Sequence, residues 1–487
     1  MKTIVRLAAT AALLLVRQGE AQVPSQLVGK WLGTAGTPLD RVEIGFEFTR
    51  DSTGQMVAFL YLPVENFYGL NAGYVQADSG RLLVRNWVLS LTLESDTLKG
   101  AMFFNRVPVL MTRTRTLPAE KPVPKIAAAP PPRWQLKLGA PIYAAPVIDG
   151  AVVYIGTSSG LFHAIDVATG VFRWTFAAGR PIHGAATVTD SAVFFVSDNG
   201  YLYKLDRAKG TEVWRYDLGD ARVPRVLMHQ VIPNAGPFDW DLAAPTPVLR
   251  DDVLYVGSGD GSMHAVSADS GKQVWRSELR GKIRGTAVVT ESRVFVASFA
   301  GFVYALDLTS GAKRWEWQSS GPVVSSVALI GDRLVVGNRF GVLAAIDTAT
   351  GRSAWRSQLW GSSAESEAVP AGGSTFYFGS SDLRRVAKMD VNDGRVFWRT
   401  DVLGWAWARP VVADSLLLVS TVGAQPYQMR HLGGLVALDR YTGRILWRYP
   451  MPDLPGVWGY GFFAPVAVGE RAILAAGLDG TLYAFPR

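Results

Sequence analysis

The sequence contains no cysteine, only five histidines and few charged residues. The absence of cysteine excludes disulfides, zinc–thiolate sites, iron–sulfur clusters and thiol chemistry, and it leaves no residue for a lipoprotein anchor. Charged residues make up 18% of the chain, its net charge is +8, and no dense Lys/Arg run occurs, so nucleic acid is not expected as a partner. No apolar run of about 18 residues is present either, so we expect no membrane span.

The N-terminus has the pattern of a secretion signal. Lys2 and Arg6 precede the apolar run 7–16, which is too short to span a bilayer. Small residues at Gly19 and Ala21 provide a cleavage site after Ala21. The sequence therefore predicts a signal peptide over residues 1–21 and a periplasmic or secreted protein, with a frayed N-terminal helix as the alternative.

Residues 117–132 are rich in Pro and Ala and predict an extended linker between two folded parts. The first part, residues 24–116, contains the period-two segment 42–48 and several turn sequences, which are typical of a small antiparallel β domain. Its opening, residues 29–33 (Gly-Lys-Trp-Leu-Gly), resembles the Gly-x-Trp start of lipocalin-like barrels. That resemblance leaves open a structural or docking barrel and a ligand-binding barrel.

The second part, residues 133–487, repeats the pattern Asp-x3-Gly-x3-Trp seven times, with Ser267 replacing the Asp once. Asp can accept backbone hydrogen bonds in such a turn, and Gly can adopt positive φ. A Trp at this spacing can pack between neighbouring sheets. The tryptophans assigned to this packing, including one before the first repeat, are Trp134, Trp174, Trp214, Trp275, Trp315, Trp355, Trp398 and Trp447.

Each repeat reads as four short strands, and the two chain ends complement each other. The chain stops at residues 480–487, where an Asp-x3-Gly-x3-Trp turn should follow, and residues 132–134 (Pro-Arg-Trp) supply the missing outer strand. The first strand should therefore complete the last sheet and remove its free edge. We predict an all-β protein, an eight-bladed β-propeller of four-stranded blades preceded by a small antiparallel barrel-like domain.

These repeats resemble the PQQ-like repeat family, whose units have the same Ala-x-Asp-x3-Gly-x3-Trp turn. The resemblance implies a propeller over about 133–487, but it does not decide the function. The family includes pyrroloquinoline-quinone dehydrogenases and non-enzymatic BamB-like propellers of the cell envelope. The latter are lipoproteins, whereas this chain has no lipid-bearing Cys and has an extra N-terminal domain, so their partners cannot be transferred directly.

Three long insertions, at 215–242, 421–432 and 448–461, fall in connections that open on one face of a propeller. Long irregular loops on a rigid scaffold commonly bind ligands or partners. Counting from each Trp also places several charged or aromatic residues on the inner strands, where they either bind a ligand or partner or pair with one another across a hydrated channel. The binding candidates are His183, His229, Trp240, Arg284, Glu365, Glu367, Trp407, Arg409, His431 and Tyr460.

Two functional hypotheses follow. The first is an exported, non-catalytic scaffold that binds a protein or peptide partner of the cell envelope on the insertion-bearing face, with no cofactor and no metal. The alternative is a quinoprotein oxidoreductase acting on an alcohol or sugar. It rests on Asp239 and Asp241, whose Trp-Asp-x-Asp-like context is similar to a stretch of those dehydrogenases, and it implies pyrroloquinoline quinone with calcium. Otherwise these aspartates order a long loop between blades.

Overall fold

The computed structural model describes residues 23–36, 41–65, 67–84, 89–102, 107–119, 125–222, 225, 241, 244–358, 363–381, 384–424, 431–454 and 459–487. The chain divides into two compact units, Met1–Val123 and Pro124–Arg487. The predicted signal peptide lies outside the described residues and stays a prediction. In the described part, no helix has the length and apolar character needed to cross a membrane.

Alternating apolar residues close the first unit into an antiparallel barrel of eight strands, since β1 pairs with both β2 and β8. Trp31, from the predicted Gly-x-Trp opening, is fully buried, and its indole Nε1–H donates to the Leu27 carbonyl at 2.9 Å. Two short 3₁₀ helices, Ser25–Leu27 and Pro63–Glu65, accompany the barrel. The strands are β1 (Gly29–Ala35), β2 (Val42–Arg50), β3 (Met56–Leu62), β4 (Phe67–Asp78), β5 (Arg81–Val84), β6 (Leu89–Glu94), β7 (Thr97–Met102) and β8 (Val107–Thr114).

Large side chains fill the barrel interior at the positions that alternate inward. Phe46 and Phe48 are at most 1% exposed, and their rings stack with centroids 5.6 Å apart. Such packing provides stability through buried apolar area. The barrel is thus established, whereas its lipocalin-like character remains a prediction.

The second unit is an eight-bladed propeller, as the repeat and the complementary chain ends predict. Each blade is a four-stranded antiparallel meander whose strands, from the axis outward, we call A, B, C and D. The chain enters through β9 (Ala127–Ala128) and β10 (Trp134–Lys137). Blade 1 comprises β11 (Val147–Asp149), β12 (Val152–Gly156), β13 (Leu161–Asp166) and β14 (Phe172–Ala177), and blade 2 comprises β15 (Thr187–Val188), β16 (Ala192–Val196), β17 (Tyr201–Asp206) and β18 (Glu212–Asp217). Blade 3 comprises β19 (Val248–Arg250), β20 (Val253–Gly257), β21 (Ser262–Ser267) and β22 (Gln273–Glu278), and blade 4 comprises β23 (Val288–Val289), β24 (Arg293–Ala297), β25 (Phe302–Asp307) and β26 (Lys313–Gln318).

The remaining blades follow the same plan, and a 3₁₀ helix, Asp220–Arg222, follows blade 2. Blade 7 has an enlarged second strand, which also pairs with the additional strand β39. Blade 5 comprises β27 (Ala328–Ile330), β28 (Arg333–Gly337), β29 (Val342–Asp347) and β30 (Ser353–Gln358), and blade 6 comprises β31 (Val369–Gly372), β32 (Thr375–Gly379), β33 (Arg385–Asp390) and β34 (Val396–Asp401). Blade 7 comprises β35 (Val411–Ala413), β36 (Leu416–Ala424), β37 (Gly434–Asp439) and β38 (Ile445–Pro450), with β39 (Gly459–Gly461) in addition. Blade 8 comprises β40 (Ala467–Val468), β41 (Ala472–Ala476) and β42 (Thr481–Pro486), and β10 is its fourth strand.

The ring closes as predicted. Strand β10 pairs antiparallel with β42, with Trp134 opposite Ala484 and Leu136 opposite Leu482. A buried apolar cluster joins blades 8 and 1, as other clusters join each of the remaining neighbouring pairs. Blade 8 is therefore built from both ends of the propeller sequence, and no described blade is left without a neighbour on either side.

The Asp-x3-Gly-x3-Trp pattern forms a turn and a contact between blades. In blade 1, the amide N–H groups of Ala168 and Thr169 donate to Asp166 Oδ1 at 3.1 Å, and Gly170 has φ +73°. The indole of Trp134, from the preceding blade, lies against Gly170, and its Nε1–H donates to the Val167 carbonyl at 3.1 Å. The same stacking recurs at six further junctions, where the glycines are Gly210, Gly271, Gly311, Gly351, Gly394 and Gly443.

The junction between blades 7 and 8 lacks this turn, and the residues expected to form a linker contribute there instead. Ala127 and Ala128 form β9, which pairs parallel with the outer strand β38. The Ala129 amide N–H donates to the Arg448 carbonyl at 3.0 Å. Part of the predicted linker is therefore a strand that covers the outer edge of blade 7.

Candidate loop-face site

One face of the propeller is formed jointly by the loops between strands B and C and by the segments that lead from strand D to the next blade. Backbone hydrogen bonds connect the two sets, for example from Asp198 N–H to the Pro181 carbonyl at 2.9 Å and from Arg339 N–H to the Pro322 carbonyl at 3.0 Å. We call this the loop face. The opposite turn face has the A–B turns and the Asp-x3-Gly turns. The three predicted insertions begin within strands β18, β36 and β38, each of which ends at the loop face.

The insertions in blade 7 and before blade 8 form a small ribbon on the loop face. Val422 pairs with Gly461 where β36 extends beyond its blade and meets β39. Tyr460 is 7% exposed and donates its hydroxyl hydrogen to the His431 carbonyl at 3.3 Å. His431 is 1% exposed and stacks on Trp405 with ring centroids 4.4 Å apart. These two predicted candidates thus lie inside the ribbon, and neither lines the pocket described next.

At the axis, the loop face contains a pocket of about 220 Å³, to which every blade contributes. Six of the predicted candidates line it, whereas His229 and Trp240 lie outside the described residues. The six are His183, Arg284, Glu365, Glu367, Trp407 and Arg409. We call this cavity the axial pocket. The structure brings these side chains together, and their binding role remains a proposal.

Side-chain hydroxyl groups tie neighbouring inner segments together at the pocket wall. The Thr246 amide N–H donates to Thr286 Oγ1 at 3.0 Å, and the Thr286 amide N–H donates to Ser326 Oγ at 3.0 Å. Between the inner segments of blades 6 and 7, Ser366 Oγ–H donates to the Ala408 carbonyl at 3.1 Å. The short inner strands have few ladder bonds, so these contacts help to satisfy backbone groups near the axis.

One wall of the axial pocket is aromatic. The Trp405 and Trp407 indoles stack with centroids 4.8 Å apart, because alternate residues of an extended segment point to the same side. Phe463 lies 5.7 Å from Trp407 and 5.3 Å from Tyr143, measured between ring centroids. Tyr143 in turn contacts the His183 ring edge-on at 5.3 Å. Blades 7, 8, 1 and 2 thus present a continuous aromatic surface.

The other wall is ionic and begins with a buried network between blades 2 and 4. Asp241 is fully buried; its carboxylate lies 2.8 Å from Arg284 Nε and 3.3 Å from an Arg225 nitrogen. Arg284 also pairs with Asp220. Although burial alone would lower the pKa of Arg284, the charges of Asp241 and Asp220 raise it above its usual value. Buried charges are stable only when they are paired in this way.

The network continues to His183 through a third carboxylate. Asp198 lies 2.7 Å from Arg225 Nε and 3.2 Å from His183 Nδ1. Burial opposes ionisation of Asp198, but the hydrogen bond from His183 and the positive charge of Arg225 lower its pKa. The predicted candidates His183 and Arg284 therefore belong to one connected network of polar side chains.

Beyond Arg284, the ionic wall contains two further carboxylates. Glu365 pairs with Arg339 at 3.2 Å, and both side chains are at most 4% exposed. Burial raises the pKa of Glu367, while the charge of Arg409 and a hydrogen bond from Ser326 act in the opposite direction. Pairing within the wall accounts for part of the charge, as the alternative of mutual salt bridging anticipates.

The ion pairs of Asp241 do not fit the calcium of the alternative hypothesis. That hypothesis rests on Asp239 and Asp241, and Asp239 lies outside the described residues. Asp241 is enclosed by Arg225 and Arg284 rather than open to a ligand. Among the residues that the structure describes, no three His, Asp or Glu side chains converge as metal ligands would. A cation beside Asp241 would face two guanidinium groups, so the arrangement favours the structural interpretation of this residue.

Counting from the tryptophans missed Phe299 and Arg339, which line the pocket, and Asp198, which belongs to the ionic network. Asp198, Phe299 and Arg339 come from B–C loops, whereas the count follows only the segments after strand D. Each of the three stands two residues before the glycine that ends its loop. That position is the sequence signal that could have found them.

Comparisons with known proteins agree with this architecture. Residues 126–236, 199–359 and 339–486 match the family described as outer membrane protein assembly factor BamB. A relative in Yersinia pestis, "Outer membrane protein assembly factor BamB", is 35% identical over 123 residues, which are 25% of this chain and only 28% of that protein.

Solved structures at lower identity share the fold alone. Sqt1 of Saccharomyces cerevisiae has a TM-score of 0.57 at 14% identity, covering 74% of this chain and 100% of that one. Quinohemoprotein alcohol dehydrogenase from Comamonas testosteroni has a TM-score of 0.55 at 13% identity, covering 73% and 76%. At 13% and 14% identity, these two structures support the fold and do not distinguish functions. The family match spans the whole propeller, and the chain therefore belongs to the PQQ-repeat propeller family of BamB.

Proposed function

We propose that this chain is an exported, non-catalytic propeller scaffold that binds a protein or peptide partner of the cell envelope on its loop face. The observation that supports this most directly is the axial pocket, where an aromatic wall and an ionic wall meet on the face that also has the insertions. Exposed aromatic rings beside arginines are frequent anchors of protein interfaces. The name of the family and of the Yersinia relative supports an envelope-assembly context.

Export is part of the same proposal. The basic start and the short apolar run of residues 1–21 support translocation, with the mature chain beginning at Gln22. N-terminal sequencing of the protein from a periplasmic or culture fraction would check the cleavage site. A chain recovered only in the cytoplasm with Met1 intact would contradict export.

Two exposed aromatic residues on opposite faces provide a matched test. Phe340, in a B–C loop of the loop face, is 45% exposed, and Tyr441, in an Asp-x3-Gly turn, is 62% exposed. Replacing each in turn with a photoreactive phenylalanine analogue in cells should give a discrete cross-linked partner from Phe340 and none from Tyr441. The purified partner should then bind the isolated protein directly.

Two outcomes would overturn the scaffold proposal. Equal cross-linking from both positions, or cross-linking from Tyr441 alone, would remove the loop face as the working surface. Dye reduction with an alcohol or sugar in the presence of pyrroloquinoline quinone and calcium would instead support the oxidoreductase.

A further inference from the structure

The axial pocket has room for little more than one or two side chains. Its volume of about 220 Å³ is below the roughly 300–1,000 Å³ typical of pockets for drug-sized ligands. A helix of a partner, which with its side chains is about 10–12 Å in diameter, would not fit into this volume. If the loop face binds a partner as proposed above, the pocket can therefore receive an inserted side chain or a chain end.

The aromatic wall selects for an aromatic insert. Tyr143 and Phe463 are only partly buried and contact each other edge-on, while Trp407 closes the wall behind Phe463. A further ring can add to this series in the offset or edge-to-face geometry that aromatic pairs prefer. An aliphatic side chain would bury apolar area there without that additional attraction.

The ionic wall leaves one positive charge for a ligand. Arg284 and Arg339 are buried and face Asp241 and Glu365 at 2.8 and 3.2 Å. Arg409 differs, because it is exposed in the pocket and has no carboxylate within 4.0 Å among the residues that the structure describes. Because buried charges pair internally, the accessible guanidinium of Arg409 is the group available for an anion.

Arg409 and the aromatic wall lie side by side along the chain. Arg409 follows Trp407 by two residues, with a bend at Ala408 between them, and both residues line the pocket. An anion on Arg409 would consequently lie next to a ring packed against Trp407 and Phe463. The carboxyl group of Glu367 is the nearby acidic group that competes for the same guanidinium.

We infer that the axial pocket receives an aromatic side chain of the partner together with an adjacent carboxylate, the ring packing on Trp407 and Phe463 and the carboxylate pairing with Arg409. The carboxylate has two possible sources, an acidic side chain next to the aromatic residue or the free C-terminus of a chain that ends in one. This inference rests on the proposed loop-face function and specifies its ligand chemistry.

Three small probes test the inference and separate the two sources. They are N-acetyl-4-fluorophenylalanine, its neutral amide, and N-acetyl-aspartyl-4-fluorophenylalanine amide, each titrated with the intact protein by ¹⁹F NMR. At least one carboxylate-bearing probe should bind about tenfold or more tightly than the neutral amide, since a charge-assisted pair provides about that factor. The first probe represents the chain end and the third represents the acidic side chain.

Variants of the pocket give opposite expected changes. Arg409→Gln should weaken the preferred carboxylate probe about tenfold and leave the amide unchanged, whereas Glu367→Gln should strengthen the carboxylate probe by removing a competing negative charge. Phe463→Ala should weaken the carboxylate probe and the amide together. Arg352→Gln, at an exposed arginine of the turn face, is the matched control and should change nothing.

Binding of none of the probes, equal binding of acid and amide, or an unchanged affinity in Arg409→Gln would overturn the inference. Thermal unfolding of each variant would confirm that the fold is intact. Loss of probe binding with persistent cross-linking from Phe340 would refute only the ligand chemistry. Absence of both would refute the loop-face function itself.

Discussion

The two faces of the propeller are built on opposite principles. On the turn face, seven junctions repeat one arrangement, an indole lying on the glycine of the next blade's turn. On the loop face, the equivalent positions after each Trp hold residues as different as His183, Arg284, Val324 and Trp407. The comparison teaches that the contact repeated from blade to blade lies on one face, whereas residues on the other face can differ from blade to blade.

The difference between the two faces has a physical cause. A turn-face contact needs only residues within one repeat and its neighbour, so the same short pattern can encode it in each blade. The loop-face pocket needs one residue from every blade to converge at the axis, and its charges must balance across several blades. Stability of the turn face is therefore local and repeated, whereas that of the ionic wall depends on a single set of charges.

The largest expected effect tests whether the loop face also stabilises the fold. Asp241→Asn removes the charge that faces Arg284 and Arg225, and should lower the free energy of unfolding by about 3 kcal/mol, because two buried guanidinium groups lose a common partner. Urea unfolding followed by tryptophan fluorescence measures this. Asp251→Asn, at a side chain that is 83% exposed, is the control and should change stability by less than about 0.5 kcal/mol.

A neutral or stabilising result for Asp241→Asn would break the comparison in a specific direction. Residues retained for catalysis commonly reduce stability, and replacing them often increases it. That outcome would return Asp241 to the list of catalytic candidates and weaken the scaffold proposal.

A second prediction examines the turn face. In Gly210→Ala the new Cβ would lie 2.4 Å from Trp174 Cδ2, at a residue with φ +69°, and the expected loss is about 2–3 kcal/mol from crowding and backbone strain together. Gly150→Ala is a matched control, since Gly150 has φ +58° but no atom within 4 Å of the Cβ position. It should lose only about 1 kcal/mol. Equal losses would mean that the indole contact contributes nothing.

The sequence predicts the turn face almost completely. The Asp and Gly spacing before Trp174 indicates both the turn and the strand that follows, and the end at residues 480–487 indicates that Trp134 completes the last sheet. What the spacing does not reveal is that seven of the eight indoles pack against the glycine of the next blade's turn. The parallel strand Ala127–Ala128 was also missed, because a Pro/Ala segment shows no alternation and its partner lies at the far end of the chain.

The axial site is only half predictable, for a geometric reason. Residues such as Arg284 and Trp407 stand at a fixed distance from a Trp, so one count aligns them. Phe299 and Arg339 approach the axis from a different loop, and the pairing of Glu365 with Arg339 depends on how two blades are juxtaposed. The sequence alone does not show which blades lie side by side at this point, because that arrangement arises only when the ring of blades forms.

The smallest expected effect concerns a position where the blades differ without changing the fold. His163 in blade 1 is 4% exposed, at the strand position that Tyr203 and Tyr304 fill in blades 2 and 4. Burial lowers the pKa of His163 from 6.5 to about 4. Below pH 6.5 the unfolded chain therefore binds the proton more tightly than the folded one, so the stability that is present above pH 6.5 is lost progressively down to about pH 4.

His163→Tyr should remove this loss, which is about 2 kcal/mol between pH 7 and 4.5. Urea unfolding at pH 7, 5.5 and 4.5 would measure it for the wild type and the variant. The reciprocal change, Tyr203→His, should introduce a similar pH dependence into blade 2, in addition to a constant loss of the hydrogen bond between Asn199 and Tyr203. Because neither residue lines the axial pocket, probe binding at pH 7 should be unaffected in both variants. Identical pH profiles for wild type and His163→Tyr would show that His163 is protonated without penalty, and a change in probe binding would show that the framework and the axial pocket are coupled.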